Sequence, residues 1–225
     1  FDQAYQLYIS INNCVFSSNS ASTDGGVILG NSWASSPALS VENCKFINNY
    51  SNKTSVISLR NDSHSVSNAN FISNIFSGNY STNTTNNGTI INTFYSESNY
   101  TISSYYSYNY FTNNNSNDYS IIYSFPVSAY GNAFYDNQGY TIYFPEVNTT
   151  TNNVENNYWG TKSSTVIDSL IYDFYDDPNF NTPIADYTPF SMGPSPDVAG
   201  SPSSITNLAI KVDLLYQTTL DDSIS

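Results

Sequence analysis

The sequence predicts an all-β chain wound as a right-handed parallel β-helix, a solenoid closed by a C-terminal cap and followed by an extra C-terminal strand. Three observations predict it. A seven-residue segment, Asn13-Cys-Val-Phe-Ser-Ser-Asn19, returns 30 residues later as Asn43-Cys-Lys-Phe-Ile-Asn-Asn49 and continues down the chain. A short apolar pulse follows each copy, the first being Val27-Ile28-Leu29. No helical period lasts beyond a turn in a chain rich in Asn, Ser, Thr and Tyr, all poor helix formers.

The segments are anchored on Phe16, Phe46, Phe76, Phe111, Phe134 and Trp159, at intervals of 30, 30, 35, 23 and 25 residues. Asn68-Ala-Asn-Phe71-Ile-Ser-Asn74 also fits, so the third unit has two competing registers. The later pulses are Val56-Ile57-Ser-Leu59, Ile90-Ile91, Ile121-Ile122-Tyr123 and Thr141-Ile142-Tyr143-Phe144. They are short, β-branched or aromatic, and they alternate upstream as Ile9-Ser-Ile11 and Leu39-Ser-Val41. Fixed pulses between loops of unequal length suit a coil of about six or seven rungs. Successive rungs lie about 4.8 Å apart, so equivalent residues stack. Phe then fills the interior at one station, while Asn turns the corner, tolerates left-handed dihedrals and stacks its amides.

Residues 1–190 are therefore read as the β-helix with its cap. The cap contains one expected short helix, Val166 to Tyr175, with Val166, Ile167, Leu170, Ile171 and Phe174 on one face. Residues 191–204 are rich in Pro, Gly and Ser and read as a linker. Residues 205–225 have strand composition and alternate well over Ala209–Leu215. One strand cannot make a core, so this segment opens a further domain, packs in cis, or adds to a sheet edge of another subunit. The last option predicts self-assembly into an oligomer or fibre through the C-terminal segment.

Composition excludes several partners. Of 225 residues only 10% are charged, and the net charge is −13. Five basic residues cannot neutralise a run of phosphates, so nucleic acid is not an expected partner. No apolar run of about 18 residues exists to span a membrane. The first residues carry neither a basic n-region nor an apolar h-region, so the sequence reads as a processed chain or a piece of a longer one.

The Phe-x-x-Asn segments, together with Gly25-Gly26-Val27-Ile28, resemble the FxxN and GGAI repeats of chlamydial polymorphic outer-membrane proteins and of adhesin-like surface proteins of methanogens. The stretch Asn156-Asn-Tyr-Trp-Gly-Thr161, with Leu170 to Asp177 and Asp186-Tyr-Thr-Pro-Phe190, is similar to the closing segment of many secreted right-handed β-helix proteins. The GGAI half is clear only once here. The resemblance covers about residues 5–190 and implies an extracellular or cell-surface location.

Cys14 and Cys44 occupy one station on adjacent rungs, at a spacing that fits either a disulfide or a buried thiol ladder. Small thiols fill a ladder well, which favours the buried pair. Nine Asn-x-Ser/Thr sequons stand at Asn49, Asn52, Asn61, Asn79, Asn83, Asn87, Asn99, Asn114 and Asn148. Such a composition generates about that many by chance, but most follow the Phe-x-x-Asn segments and are expected in accessible loops. His64 stands alone in a polar loop, with no second His or Cys to make a metal site. Asp173, Asp176 and Asp177 are the densest acids and fall in the cap, where they cap structure or offer oxygen ligands to calcium.

Lyases of this shape use a Lys or Arg base beside an acidic calcium cluster, and hydrolases use several Asp with Gly-His-Gly and Arg-x-Lys. None of these motifs is present, and Arg60 is the only arginine. No catalytic residue, cofactor or metal is assigned. The expected role is a non-catalytic, N-glycosylated surface or structural protein, adhesin-like or a subunit of an extracellular fibre. The alternatives are a polysaccharide lyase or glycosidase and a carbohydrate-binding module. The run Phe94 to Phe111, densest in Tyr, would offer a row of rings to glycans or simply fill a wide interior.

Overall fold

The computed structural model describes residues 7–32, 37–61, 67–83, 89–93, 102–145, 150–198 and 210–213. The first rung comprises β1 (Leu7–Asn12), β2 (Val15–Ser17), β3 (Ser20–Ala21) and β4 (Ile28–Ser32). The second comprises β5 (Pro37–Glu42), β6 (Lys45–Ile47), β7 (Tyr50–Ser51) and β8 (Thr54–Asn61). The third comprises β9 (Ser67–Ile72), β10 (Ile75–Ser77), β11 (Tyr80–Ser81) and β12 (Thr89–Asn92). In the fourth, β13 (Ile102–Ser107) and β14 (Tyr110–Thr112) lead into one long strand, β15 (Asn115–Tyr123). The fifth has β16 (Val127–Tyr130), β17 (Ala133–Tyr135) and β18 (Gln138–Tyr143). The last rung and cap hold β19 (Thr151–Asn153), helix α1 (Ser164–Asp168), β20 (Ile171–Tyr172) and β21 (Ile184–Asp186). A final strand, β22 (Ile210–Asp213), comes from the tail.

The rungs stack as a parallel β-helix. The first sheet runs β16-β13-β9-β5-β1-β22 and the second β17-β14-β10-β6-β2. The third joins β3, β7 and β11 with β4, β8, β12, β15, β18 and β20. Among the described residues every pairing between rungs is parallel, and β22 alone enters antiparallel, on β1.

Each strand aims one column of side chains at the interior, as a two-residue alternation requires. The second sheet places Phe16, Phe46, Phe76, Phe111 and Phe134 in register. Their rings stack face to face with centroids 5.1, 4.9, 4.6 and 5.1 Å apart, and Trp159 continues the pile at 5.1 Å. Phe16, at the open end, is half-buried; the others are buried. Six isoleucines make the matching column of the third sheet: Ile28, Ile57, Ile91, Ile122, Ile142 and Ile171. The two registers of the third unit are thereby resolved. Phe76 belongs to the ring stack, whereas Phe71 faces inward from the first sheet and stacks on Tyr106 at 4.8 Å.

Two corners of each rung are built from a pair of residues rather than from one Asn. The first residue of the pair has positive φ: Asn13, Asn43, Ser73, Tyr108, Gly131 and Asn156 before the second sheet. Ser18, Asn48, Gly78, Asn113, Asp136 and Gly160 do the same after it. Left-handed backbone makes the bend, and the next residue turns its side chain into the coil. The two inward residues are always five apart, from Cys14 and Asn19 to Asn132 and Asn137. All variation in rung length falls in the rest of the turn.

Gly25-Gly26 opens a bend of its own. Gly25 has φ +60, and a Cβ on Gly26 would lie 2.1 Å from the Ser55 carbonyl oxygen, so only glycine fits.

The cap differs from the expected one. The helix is five residues long, not ten, because Ile171-Tyr172 leave it to pair with Ile142-Tyr143 as β20. Strand pairing against a buried isoleucine column outweighs one further turn of a marginal helix. Ser163 is the N-cap, its side chain accepting from the Val166 N–H. Trp159 both ends the aromatic stack and closes the interior. Among the described residues no helix is long and apolar enough to cross a membrane.

Candidate functional site

The corner side chains form two hydrogen-bonded columns. At the second corner Asn19, Asn49, Asn79, Asn114 and Asn137 repeat one pattern. Backbone N–H and side-chain Nδ2 of each both donate to Oδ1 of the next, at 2.9–3.0 Å. From the second rung on, each Nδ2 also donates back to the Phe carbonyl of the rung before, as Asn114 does to Phe76 at 2.8 Å. The first corner does the same with Asn74, Asn109, Asn132 and Asn157. Its two leading places are held by Cys14 and Cys44.

The thiols copy the amides imperfectly. Cys14 N–H donates to Cys44 Sγ at 3.3 Å, and Cys44 N–H donates to Asn74 Oδ1 at 2.9 Å. Cys44 Sγ reaches toward Ile11 O at 3.6 Å, the place where Asn74 Nδ2 meets Val41 O at 2.8 Å. Both cysteines are buried and unbonded, side by side as the repeat requires. Burial pushes the Cys44 thiol up to about 12, against a smaller opposing effect of the Cys14 N–H. A buried thiol held in its protonated form suits a filler of the ladder.

This geometry corrects the expectation that the sequons lie exposed. Asn49, Asn79 and Asn114 are fully buried, and their Nδ2 atoms, where a sugar would attach, already donate two hydrogen bonds each. Asn52 is exposed and Asn83 half-buried. Asn61 ends β8, but its side chain lies outside the described residues, as do Asn87, Asn99, Asn148 and His64.

The cap acids hold backbone. Asp173 is buried, and its oxygens accept from Tyr175 N–H and Ala185 N–H, both at 2.9 Å. Asp176 accepts from Asp173 N–H, and Asp177 accepts from Asn179. Burial raises the Asp173 carboxyl despite those donors, with Asp176 and Asp168 adding to the rise. Its second role is to pin β21 against the closing rung. Among the described residues no three His, Cys, Asp or Glu converge as a metal group would require.

The outer surface carries tyrosine. Of the stretch singled out in the sequence, residues 94–101 lie outside the described residues; Tyr105 is exposed, and Tyr106 turns inward. The Tyr106 hydroxyl is buried without a hydrogen bond of its own, beside Thr93, Ser104 and Ser124, whose hydroxyls bond one another. A denser group sits outside the third sheet, which sequence reasoning missed. Tyr119, Tyr123, Tyr140, Tyr143 and Tyr172 lie together, with Tyr143 and Tyr172 stacked at 4.1 Å. Burial raises the Tyr119 and Tyr143 phenols, and neighbouring tyrosines add to it. Tyr50 and Tyr80 stack at 5.9 Å on the second-to-third-sheet bend, both exposed.

Fold and corners together define a parallel β-helix whose recurring side chains bond and stack on one another. Compared with known proteins, the chain matches no family model, no curated protein and no solved structure.

Proposed function

We propose that this chain is a non-catalytic surface or structural protein of the cell exterior, adhesin-like or a subunit of an extracellular fibre, assembling through its C-terminal segment. One observation carries the reading: the residues that recur from rung to rung are committed to one another. Within the columns the amides of Asn49, Asn79 and Asn114 have both donors taken, the Phe rings stack on one another and on Trp159, and the densest acids hold backbone N–H groups. A glycoside hydrolase needs two free carboxyl groups flanking one bond.

A surface of Asn, Ser and Tyr with little charge suits contact with glycans or with other protein chains. N-linked sugar, where the source adds it, belongs on Asn52 and Asn83 rather than on the columns. A second reading, a carbohydrate-binding module, is favoured by the exposed rings of Tyr8, Tyr105, Tyr130 and Tyr135. The test is threefold: polysaccharide digestion followed by reducing-end release, a glycan array, and sedimentation of the purified protein across concentration. Turnover of a polysaccharide would sink the non-catalytic reading. Array binding by a strictly monomeric protein would replace assembly with recognition.

A further inference from the structure

The antiparallel strand β22 does not belong to the coil. Every rung of a β-helix is laid down parallel to the last, so a strand that enters antiparallel arrives from outside the winding. It occupies the outer edge of β1, the side that faces away from β5. That edge would otherwise present a row of unpaired N–H and C=O groups, the feature that invites another strand. The register is Tyr8 with Asp213, Ile9 with Val212, Ser10 with Lys211 and Ile11 with Ile210. Ile9 and Ile11 thus stand opposite Val212 and Ile210, and Ser10 opposite Lys211.

The connection is eleven residues long. Residues 199–209 join the cap region to this strand with a sequence that begins Ala-Gly-Ser-Pro-Ser-Ser. Eleven residues reach at most about 36–40 Å when extended. The path back from the last rung to β22 is six strand spacings, about 29 Å. The same reach allows the strand to land on its own β1 or on that of a neighbour.

From this we infer that the outer edge of β1 is the acceptor site for strand Ile210–Asp213 of a second copy, and that the pairing within one chain is its closed form. The inference rests on the proposed self-assembling role and adds the acceptor, the direction and the register. Cis and trans pairing make the same backbone hydrogen bonds, so the tether alone decides between them. A tether of this length gives an effective concentration of about the millimolar range, so exchange is expected when copies are crowded to that level. Handed from copy to copy, the contact is heterologous and propagates.

The experiment is in-register thiol pairing in the full chain. One preparation carries Ser10→Cys and another Lys211→Cys; they are mixed, concentrated and oxidised mildly. A disulfide-linked heterodimer is expected, several-fold more abundant than with Asp213→Cys as the partner, and reduced on dilution before oxidation. The double variant, Ser10→Cys with Lys211→Cys, should form an intrachain bond when dilute, and circular dichroism checks that all variants keep the fold. Intrachain bonding at every concentration would overturn the exchange, and no bonding in either format would remove the β1 site. Sedimentation separates this failure from that of the broader role: a native chain that associates without the in-register bond assembles elsewhere, and one that never associates loses both.

Discussion

The two corners flanking the second sheet bend alike, yet they are filled differently. The second is asparagine on the first five rungs, from Asn19 to Asn137; the first begins with Cys14 and Cys44 and turns to asparagine only at Asn74. What survives the exchange is the acceptor. Sγ of Cys44 takes the backbone N–H of Cys14 much as an amide oxygen would. What weakens is the donor, since the contact to the previous rung lengthens from 2.8 Å at Asn74 to 3.6 Å at Cys44. A corner therefore requires a buried acceptor for the incoming N–H; the amide's own N–H groups add cohesion between rungs.

That comparison can be broken most forcefully at the pure column. Asn114→Ala removes two donated and two accepted hydrogen bonds at a buried site. Orphaned backbone groups at about 1–3 kcal/mol each give an expected loss of about 3–5 kcal/mol, read from the urea midpoint. A loss below about 1 kcal/mol would mean the column is decoration. Next comes Cys44→Ala, which abandons only a weak acceptor and donor; about 1–2 kcal/mol is expected in the same titration. Equal costs at the two sites would erase the distinction between corners.

Alkali sharpens it further. The Cys44 thiol is held up from an ordinary value near 9 to about 12. In the unfolded chain it ionises first, so its contribution is intact below about pH 9 and is lost as pH rises toward 12. Stability followed by denaturant melts should fall over that window, and Cys44→Ala should flatten the fall. A residual slope is expected from Tyr106, whose phenol is also raised by burial. An unchanged profile in the variant would show that the thiol does not ionise with unfolding.

A smaller effect of opposite sign is expected from Cys44→Asn. It restores the missing donors to Ile11 O and to Asn74 Oδ1, for a gain of about 1 kcal/mol. A destabilised variant would show that the first rungs are too tight for an amide. The last test costs no stability at all. Peptide mapping of protein from a glycosylating host should find sugar on Asn52 and none on Asn49, Asn79 or Asn114; sugar on a column residue would contradict its hydrogen bonds.

The architecture was legible because the ring and amide stations keep a fixed distance, so Phe-x-x-Asn recurs whatever the loops do. The buried state of three sequons was not. One letter, Asn, serves both as column member and as acceptor of sugar, and only the corner φ separates the two uses. The helix was overextended because Ile171 satisfies a helical face and a strand column equally well. The tyrosine group outside the third sheet escaped notice because Tyr119 and Tyr123, Tyr140 and Tyr143, and Tyr172 come from three successive rungs. Adjacency across rungs is invisible until the unequal loops are measured.

The constant five-residue step between corners has a practical side. Because register is set inside that short span, added chain elsewhere in the turn does not shift it. Rungs of 23 to 35 residues already coexist in one coil. Doubling the length of a flexible loop costs only about 0.6 kcal/mol in closure entropy. A foreign peptide spliced between Thr82 and Thr89 would therefore leave the register intact at little cost, whereas a single residue inserted between Asn74 and Asn79 would turn Phe76 out of the stack and unzip both columns at once.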